Sequence, residues 1–268
     1  MIDLGRHNVL GVAVSAVDYE AATQHIVQAA ADKRPFGVSA LAVHGVMTGA
    51  MDSVHRCRLN QLEMVVPDGQ PVRWAMKWLH GVNLPDRVYG PELTLRVCKK
   101  AAELGLPIYL YGSRREVLER LESNLVEKFP GLSIAGRQPS RFRQVSADEQ
   151  VEIAHAIKDS GAAIVLVGLG CPRQETFVYE LRDLLPMPML AVGAAFDFHA
   201  GMLSQAPAWL QKRGLEWLYR LANEPRRLWK RYAVTNTMYL LYLVLQYTHL
   251  RKGSADDSKI AVPRMRFG

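Results

Sequence analysis

At 268 residues the chain can bury one substantial core and still carry an appendage. Its formal net charge of +7 suits nucleic acid, anionic lipid or a phosphorylated substrate equally well, so the location of the charge must choose among them. The cysteines Cys57, Cys98 and Cys171 are odd in number, far apart and without CxxC or Cys/His pairing at ligand spacing, which argues against a disulfide framework and against a zinc site. The first residues, MIDLGRHNVLGVAVSAVDYE, carry scattered charge and no long apolar run; no cleaved signal peptide is expected, and the chain is assigned to the cytoplasm.

After an extended start, strands and helices alternate. Ala22, Ile26, Ala29 and Ala30 recur at helical spacing before the β-like run FGVSALAV, which is followed by a helix from about His44 and the short strand MVVPDG. A helix through WAMKWL, a loop RVYGPEL opening another helix, the strand IYLYG and the helix REVLERLESNLVEKF come next. Then follow the strand LSIAG, the helix ADEQVEIAHAIKDSG, the strand AAIVLVGLG, the helix PRQETFVYELRDLL and the strand PMLAVGAAF. Apolar strands alternating with helices predict a Rossmann-like, mainly parallel sheet sandwiched by helices over residues 1–205. Ligands of such sheets collect at the carboxyl ends of the strands, where Asp68, Gly112, Ser113, GLGCPRQE and Asp197 all fall.

The turn VLVGLGCPRQE is not a dinucleotide fingerprint, because Arg173 stands where the third glycine belongs, and no phosphate loop with a terminal Gly-Lys-Ser/Thr occurs anywhere. Gly168 and Gly170 would let the backbone approach a ligand. Pro172 suits a first helical turn whose free N–H groups could face a phosphate or sugar, with Gln174 and Glu175 adding side-chain hydrogen bonds. An ordinary tight strand-to-helix turn reads the same residues equally well. Asp68, in VVPDG, is a candidate general base or else a helix N-cap, and Asp197, between two phenylalanines, has the same ambiguity. Arg87 is either a guanidinium at this edge or a surface charge. No D-x-D pair or compact His/carboxylate cluster is visible, so neither a metal nor a cofactor is expected, and a departing diphosphate would be met by arginines and backbone N–H groups.

From about Ala206 the texture changes. Between Gln205 and Lys252 nine Lys or Arg stand against two Glu, interleaved with Trp and Tyr, which predicts a helical appendage over residues 206–250. Such helices suit a membrane interface, although MYLLYLVLQYT is too short to span a bilayer. Two rival readings use the same feature: a nucleic-acid-binding platform, or a peripheral membrane scaffold that binds nucleotide without chemistry. Residues 251–268 read as a loose tail.

The ordered motifs PDG, RVYGPEL, YLYG, GLGCPRQE, AVGAAFDFHAG and LEWLYRLANEPRRLWKRY resemble the WecG/TagA/CpsF family of bacterial glycosyltransferases, glycosyltransferase family 26, from about Leu10 to Leu245. The resemblance implies inverting transfer from a UDP-sugar to a sugar on undecaprenyl diphosphate, at the cytoplasmic face of the cell membrane, in surface-polysaccharide synthesis. It also implies a membrane-associating C-terminal appendage that helps complete the active site. By motif, Asp68 matches the family's proposed base, Arg87 the loop arginine, Gln174 the glutamine of the P-[KR]-Q-E segment and Asp197 the FDF aspartate. Arg220, Arg227 and Lys230 or Arg231 match the basic residues thought to meet a diphosphate. Donor and polyprenyl-linked acceptor are the implied partners, with no role for nucleic acid and room for an oligomer. One departure stands out: the T-x-N pattern common in members that use N-acetylmannosamine is replaced by Ala40 and Ala42, which points to a different donor hexose, glucose first.

Overall fold

The computed structural model describes residues 1–250 and 262–268, without the side chains of Arg227, Lys230 and Arg231. The extended start is a hairpin of β1 (Asp3–Val9) and β2 (Val12–Val17). Its two-residue turn, Leu10 and Gly11, has φ values of 57° and 95°, the left-handed backbone that fits the twist of a tight hairpin. There follow α1 (Tyr19–Ala31), β3 (Phe36–Leu41), α2 (Val43–Met51), α3 (Ser53–Asn60), β4 (Met64–Pro67), α4 (Gln70–His80) and α5 (Gly90–Leu104). Next come β5 (Ile108–Gly112), α6 (Arg115–Lys128), β6 (Ile134–Gln138), α7 (Ala147–Asp159), β7 (Ile164–Gly168), α8 (Arg173–Leu181), β8 (Pro188–Ala191) and α9 (Ala195–His199). Three further helices are α10 (Ala208–Lys212), α11 (Glu216–Asn223) and α12 (Pro225–Tyr247).

Two departures from the sequence expectation have a visible local cause. The helix predicted from about His44 is two helices, because Asp52 leaves helical backbone and its carboxylate accepts the Val54 and His55 N–H groups to start α3. The strand predicted through AVGAAF ends at Ala191; Gly193, at φ 51°, turns the chain, and Ala195 and Phe196 open α9.

Strands β4-β3-β8-β7-β5-β6 form one sheet in which every pairing is parallel. Alternate residues feed two cores, as the two-residue period of a strand requires. Val65, Tyr109, Tyr111, Val165, Val167 and Met189 pack with α2, α3, α4, α7, α8 and part of α12. Met64, Val66, Ile108, Leu110, Ile164, Leu166 and Leu190 pack with α1, α5, α6 and α9. The mainly parallel sheet is thus covered by helices on both faces. Ser15 Oγ accepts the Val65 N–H at 3.1 Å, so the hairpin shields the outer edge of β4.

At the other end of the chain, α12 lies along α2 and α4. Tyr239 and Leu243 enter the first core, and Tyr239 Oη donates to the Pro71 carbonyl at 3.0 Å. The Gln246 amide accepts the Leu10 N–H at 2.8 Å and donates to the Asn8 carbonyl at 3.0 Å, clasping the hairpin turn. Among the described residues no helix is long and apolar enough to cross a membrane. Of the tail expected over 251–268, residues 251–261 lie outside the described residues. Residues 262–268 are not loose: Val145 N–H donates to the Arg266 carbonyl, Met265 N–H to Glu180 Oε1, and Arg58 Nη2 to the Pro263 carbonyl at 2.6 Å.

Candidate active site

The site is built at the carboxyl ends of β3 and β4, where parallel strands leave their loops to one edge. Asp68 directly follows β4, its N–H bonded to the Leu41 carbonyl at the end of β3 at 3.2 Å. It does not cap the helix that follows it, since α4 starts behind Gly69 without a side-chain cap. Instead Asp68 Oδ1 accepts the N–H of Gly90, the first residue of α5, at 2.5 Å. Glycine makes this approach possible: a Cβ at position 90 would sit 3.0 Å from Ala40 Cβ and 3.3 Å from Asp68 Oδ1. Burial lifts the Asp68 carboxyl to about 6, opposed by the Arg87 charge and the Gly90 N–H, with Glu216 raising it and Arg220 lowering it.

Arg87 is not a surface charge. It is 6% exposed; its Nη2 donates to Glu216 Oε2 at 2.7 Å and Gln211 Oε1 at 3.1 Å, and its guanidinium lies 4.1 Å from the centre of the Tyr89 ring. Tyr89 Oη donates to the other Glu216 oxygen at 3.0 Å, while the Tyr89 N–H donates to Tyr19 Oη at 2.9 Å. Glu216, in the first turn of α11, therefore joins the appendage to the strand-end loop. Sequence reasoning missed it, because in a count of nine cations against two acids it served only as a charge. The signal available was its position, a carboxylate two residues past Gly214 in an otherwise basic aromatic stretch. A cavity of about 240 Å³ adjoins Arg87 and Tyr89 and is walled by Tyr19, Gln70, Asp86, His199, Gln211 and Lys212, but not by Asp68.

Arg220, one helical turn beyond Glu216, lies 5.9 Å from the centre of the Phe198 ring, and its charge reaches Asp68. Asp197 sits beside Phe198 in α9. Arg227, Lys230 and Arg231 belong to α12, and their side chains lie outside the described residues. Ala40 and Ala42 border the Asp68 loop; Ala42 starts α2 without a side-chain cap, 3.7 Å from where a Gly69 Cβ would be.

The glycine turn after β7 is braced by side chains of the helix that follows it. Gly168 leaves room for a side chain, since a Cβ there would lie 2.5 Å from the Phe196 ring. Gly170, at φ 78°, donates its N–H to Gln174 Oε1 at 3.0 Å. Gln174 Nε2 donates to Glu175 Oε1 at 2.9 Å, and Ser39 Oγ donates to the same oxygen at 3.1 Å. Both side chains are buried and brace the turn from below, and burial raises the Glu175 carboxyl above its usual range. Asp68, Arg87 and Arg220 thus converge with Glu216, while Gly168, Gly170, Gln174, Glu175 and Asp197 belong to the neighbouring turns after β7 and β8.

Sequence spacing gave no ligand set, yet the fold collects one. A ring nitrogen of His55, the Cys171 sulfur and a Glu175 oxygen all lie within 4.8 Å of one another.

Residues 7–253 match the sequence pattern of the Glycosyl transferase WecG/TagA/CpsF family. A similar relative is the N-acetylglucosaminyldiphosphoundecaprenol N-acetyl-beta-D-mannosaminyltransferase of Bacillus spizizenii, 32% identical over 174 residues, a segment covering 65% of this chain and 65% of the relative.

Proposed function

The chain belongs to the WecG/TagA/CpsF family of glycosyltransferases, and on that premise we propose that it moves a hexose or N-acetylhexosamine, with inversion, from a UDP-sugar to an undecaprenyl-diphosphate-linked sugar. The observation that carries this reading is the Asp68 carboxyl, lifted to about 6 by burial and flanked by Arg87 and Arg220 at the strand-end edge. A carboxylate of that basicity is matched to taking a proton from a sugar hydroxyl near neutral pH. With Oδ1 engaged by the Gly90 N–H, Oδ2 takes the proton as the acceptor oxygen attacks the anomeric carbon, and UDP leaves from the opposite face. Arg220, with Arg227, Lys230 and Arg231, meets the diphosphate charge. Arg87, Gly170 and Asp197 belong to the walls that receive the donor, and Gln174 and Glu175 keep the Gly168–Gly170 turn in shape.

The small side chains at Ala40 and Ala42 remove two hydrogen-bonding positions beside Asp68, which supports a donor without the N-acetylmannosamine pattern, glucose first. Trp209, Trp229, Leu240, Leu241, Val244 and Tyr247 are all exposed along α10 and α12. Their exposure beside the basic residues supports a peripheral seat on the cytoplasmic membrane surface, where the polyprenyl acceptor resides.

The test is transfer from a panel of UDP-sugars, UDP-glucose and UDP-N-acetylmannosamine included, to several polyprenyl-diphosphate sugars in detergent, with Asp68→Asn alongside. Transfer by the wild type and its loss in the variant is the expected result. Undiminished turnover in folded Asp68→Asn removes Asp68 from its role. UDP and vesicle binding without transfer from any pair replaces the enzyme with a scaffold.

A further inference from the structure

We propose that His55, Cys171 and Glu175 form a zinc site that ties α3 to the turn between β7 and α8. The three residues come from the first turn of α3, the loop after β7 and the first turn of α8, so no sequence spacing announces them. Their donor atoms lie within 4.8 Å of one another, and His55 and Glu175 are 2% and 0% exposed.

Two buried atoms of this cluster, His55 Nε2 and Glu175 Oε2, have no hydrogen-bond partner among the described residues. A buried polar atom left unsatisfied keeps its full desolvation penalty, so two in one cluster call for a physical explanation. The supporting contacts are selective. Ser39 Oγ and Gln174 Nε2 both bond Glu175 Oε1, fixing the carboxylate while leaving Oε2 over, as groups behind a metal ligand do. The Cys171 thiol hydrogen-bonds the Glu175 carboxyl, and the residue is partly exposed, which leaves an entry path on its side.

The donor set selects the ion. Thiolate, imidazole and carboxylate suit zinc, whereas magnesium and calcium take oxygen ligands throughout. Charge closes as well: a thiolate and a carboxylate offset a dication, and the imidazole is neutral, leaving a buried cluster with no net charge. Burial holds His55 in that neutral form, moving it down to about 4, with Asp52 opposing and Arg58 reinforcing the shift. Uptake of the ion releases the thiol proton, and the Glu175 proton where the acid form is present. Three protein ligands leave the fourth position to water, and the site stands whether or not the chain transfers sugar.

The experiment is Co²⁺ and Zn²⁺ titration of the whole chain after chelator dialysis, in a reductant that does not bind metal. One equivalent of Co²⁺ should give a thiolate-to-cobalt charge-transfer band and the strong visible bands of a four-coordinate ion, both abolished by Zn²⁺. Cys171→Ser should lose the charge-transfer band, and His55→Gln should weaken binding by about tenfold or more. Zinc should raise the thermal midpoint of the wild type but not of Cys171→Ser. Absence of stoichiometric uptake overturns the site, as does a charge-transfer band that survives Cys171→Ser, which would assign the ion to another cysteine. Should His55→Gln fail to fold, Cys171→Ser decides alone, since it exchanges only sulfur for oxygen.

Discussion

The sheet and the appendage solve the problem of staying in place by opposite means. The sheet is held by two apolar cores, and its central strands are buried to zero exposure from Ile164 to Val167 and from Met189 to Ala191. In the appendage α10 and α11 hold no buried residue, and their ties to the strand-end loop are polar: Glu216 with Arg87 and Tyr89, and Gln211 with Arg87. In α12, by contrast, Tyr239 and Leu243 are buried while Leu240, Leu241 and Val244 face outward. A region fastened by a few directional bonds can dock and undock as a unit, whereas a sheet between two cores cannot move without unfolding. Catalytic candidates stand on both sides of that divide, with Asp68 on the rigid part and Arg220 on the fastened one.

The largest effect is expected on the rigid side. Asp68→Asn should lower turnover by roughly 10²–10⁴-fold with the circular dichroism unchanged. In the wild type, turnover should rise with pH up to about 6, where the carboxyl ionises, and then level off. The stability sign runs the other way. Because the folded state holds the proton more tightly than the unfolded chain, stability falls as pH rises from the ordinary carboxylate range through about 6. Asp68→Asn should abolish that slope in denaturant titrations.

Next comes the fastening. Removing one partner of a buried ion pair costs about 3–5 kcal/mol, and the Arg87 and Glu216 side chains are 7% and 13% exposed. Because Glu216 belongs to the appendage, Glu216→Ala should spend that cost on undocking: faster hydrogen exchange and proteolysis in 206–223, with the sheet still protected. Equal loss of protection in β5 and β7 would break the comparison. Glu216→Gln, which keeps an acceptor, should do less.

Gly168→Ala tests the rigid side again. Its Cβ would meet the Phe196 ring at 2.5 Å, and overpacking of that kind costs about 1–3 kcal/mol, read as a lower urea midpoint for the whole domain. The smallest effect on stability belongs to Trp229→Ala, at 59% exposure: within about 0.5 kcal/mol in solution, with weaker binding to anionic vesicles.

How far the sequence reached follows the same divide. Strands such as IVLVG and IYLYG are legible because a parallel strand covered on both faces must be apolar at consecutive positions. Asp68 was legible by its place after such a strand. Its partner was not, because Gly90 is distant in sequence and contributes a backbone N–H that no side chain announces. The break at Asp52 carried a signal, an acidic residue before Ser53, that the apolar pattern around it obscured. Glu216 was hidden by its neighbours' charge, and the His55, Cys171 and Glu175 cluster by separation along the chain. Gln174 and Glu175 were expected to hydrogen-bond a ligand at the turn, and only three dimensions reveal that Ser39 lies against Glu175.

The clasp of Gln246 on the hairpin turn bears on the order of assembly. Asn8 and Leu10 are made long before their hydrogen-bond partner, which follows Leu10 by 236 positions. The hairpin turn, once made, stays open to water until those 236 positions have been translated. Helix α12 then arrives as the bolt on a door hung long before it.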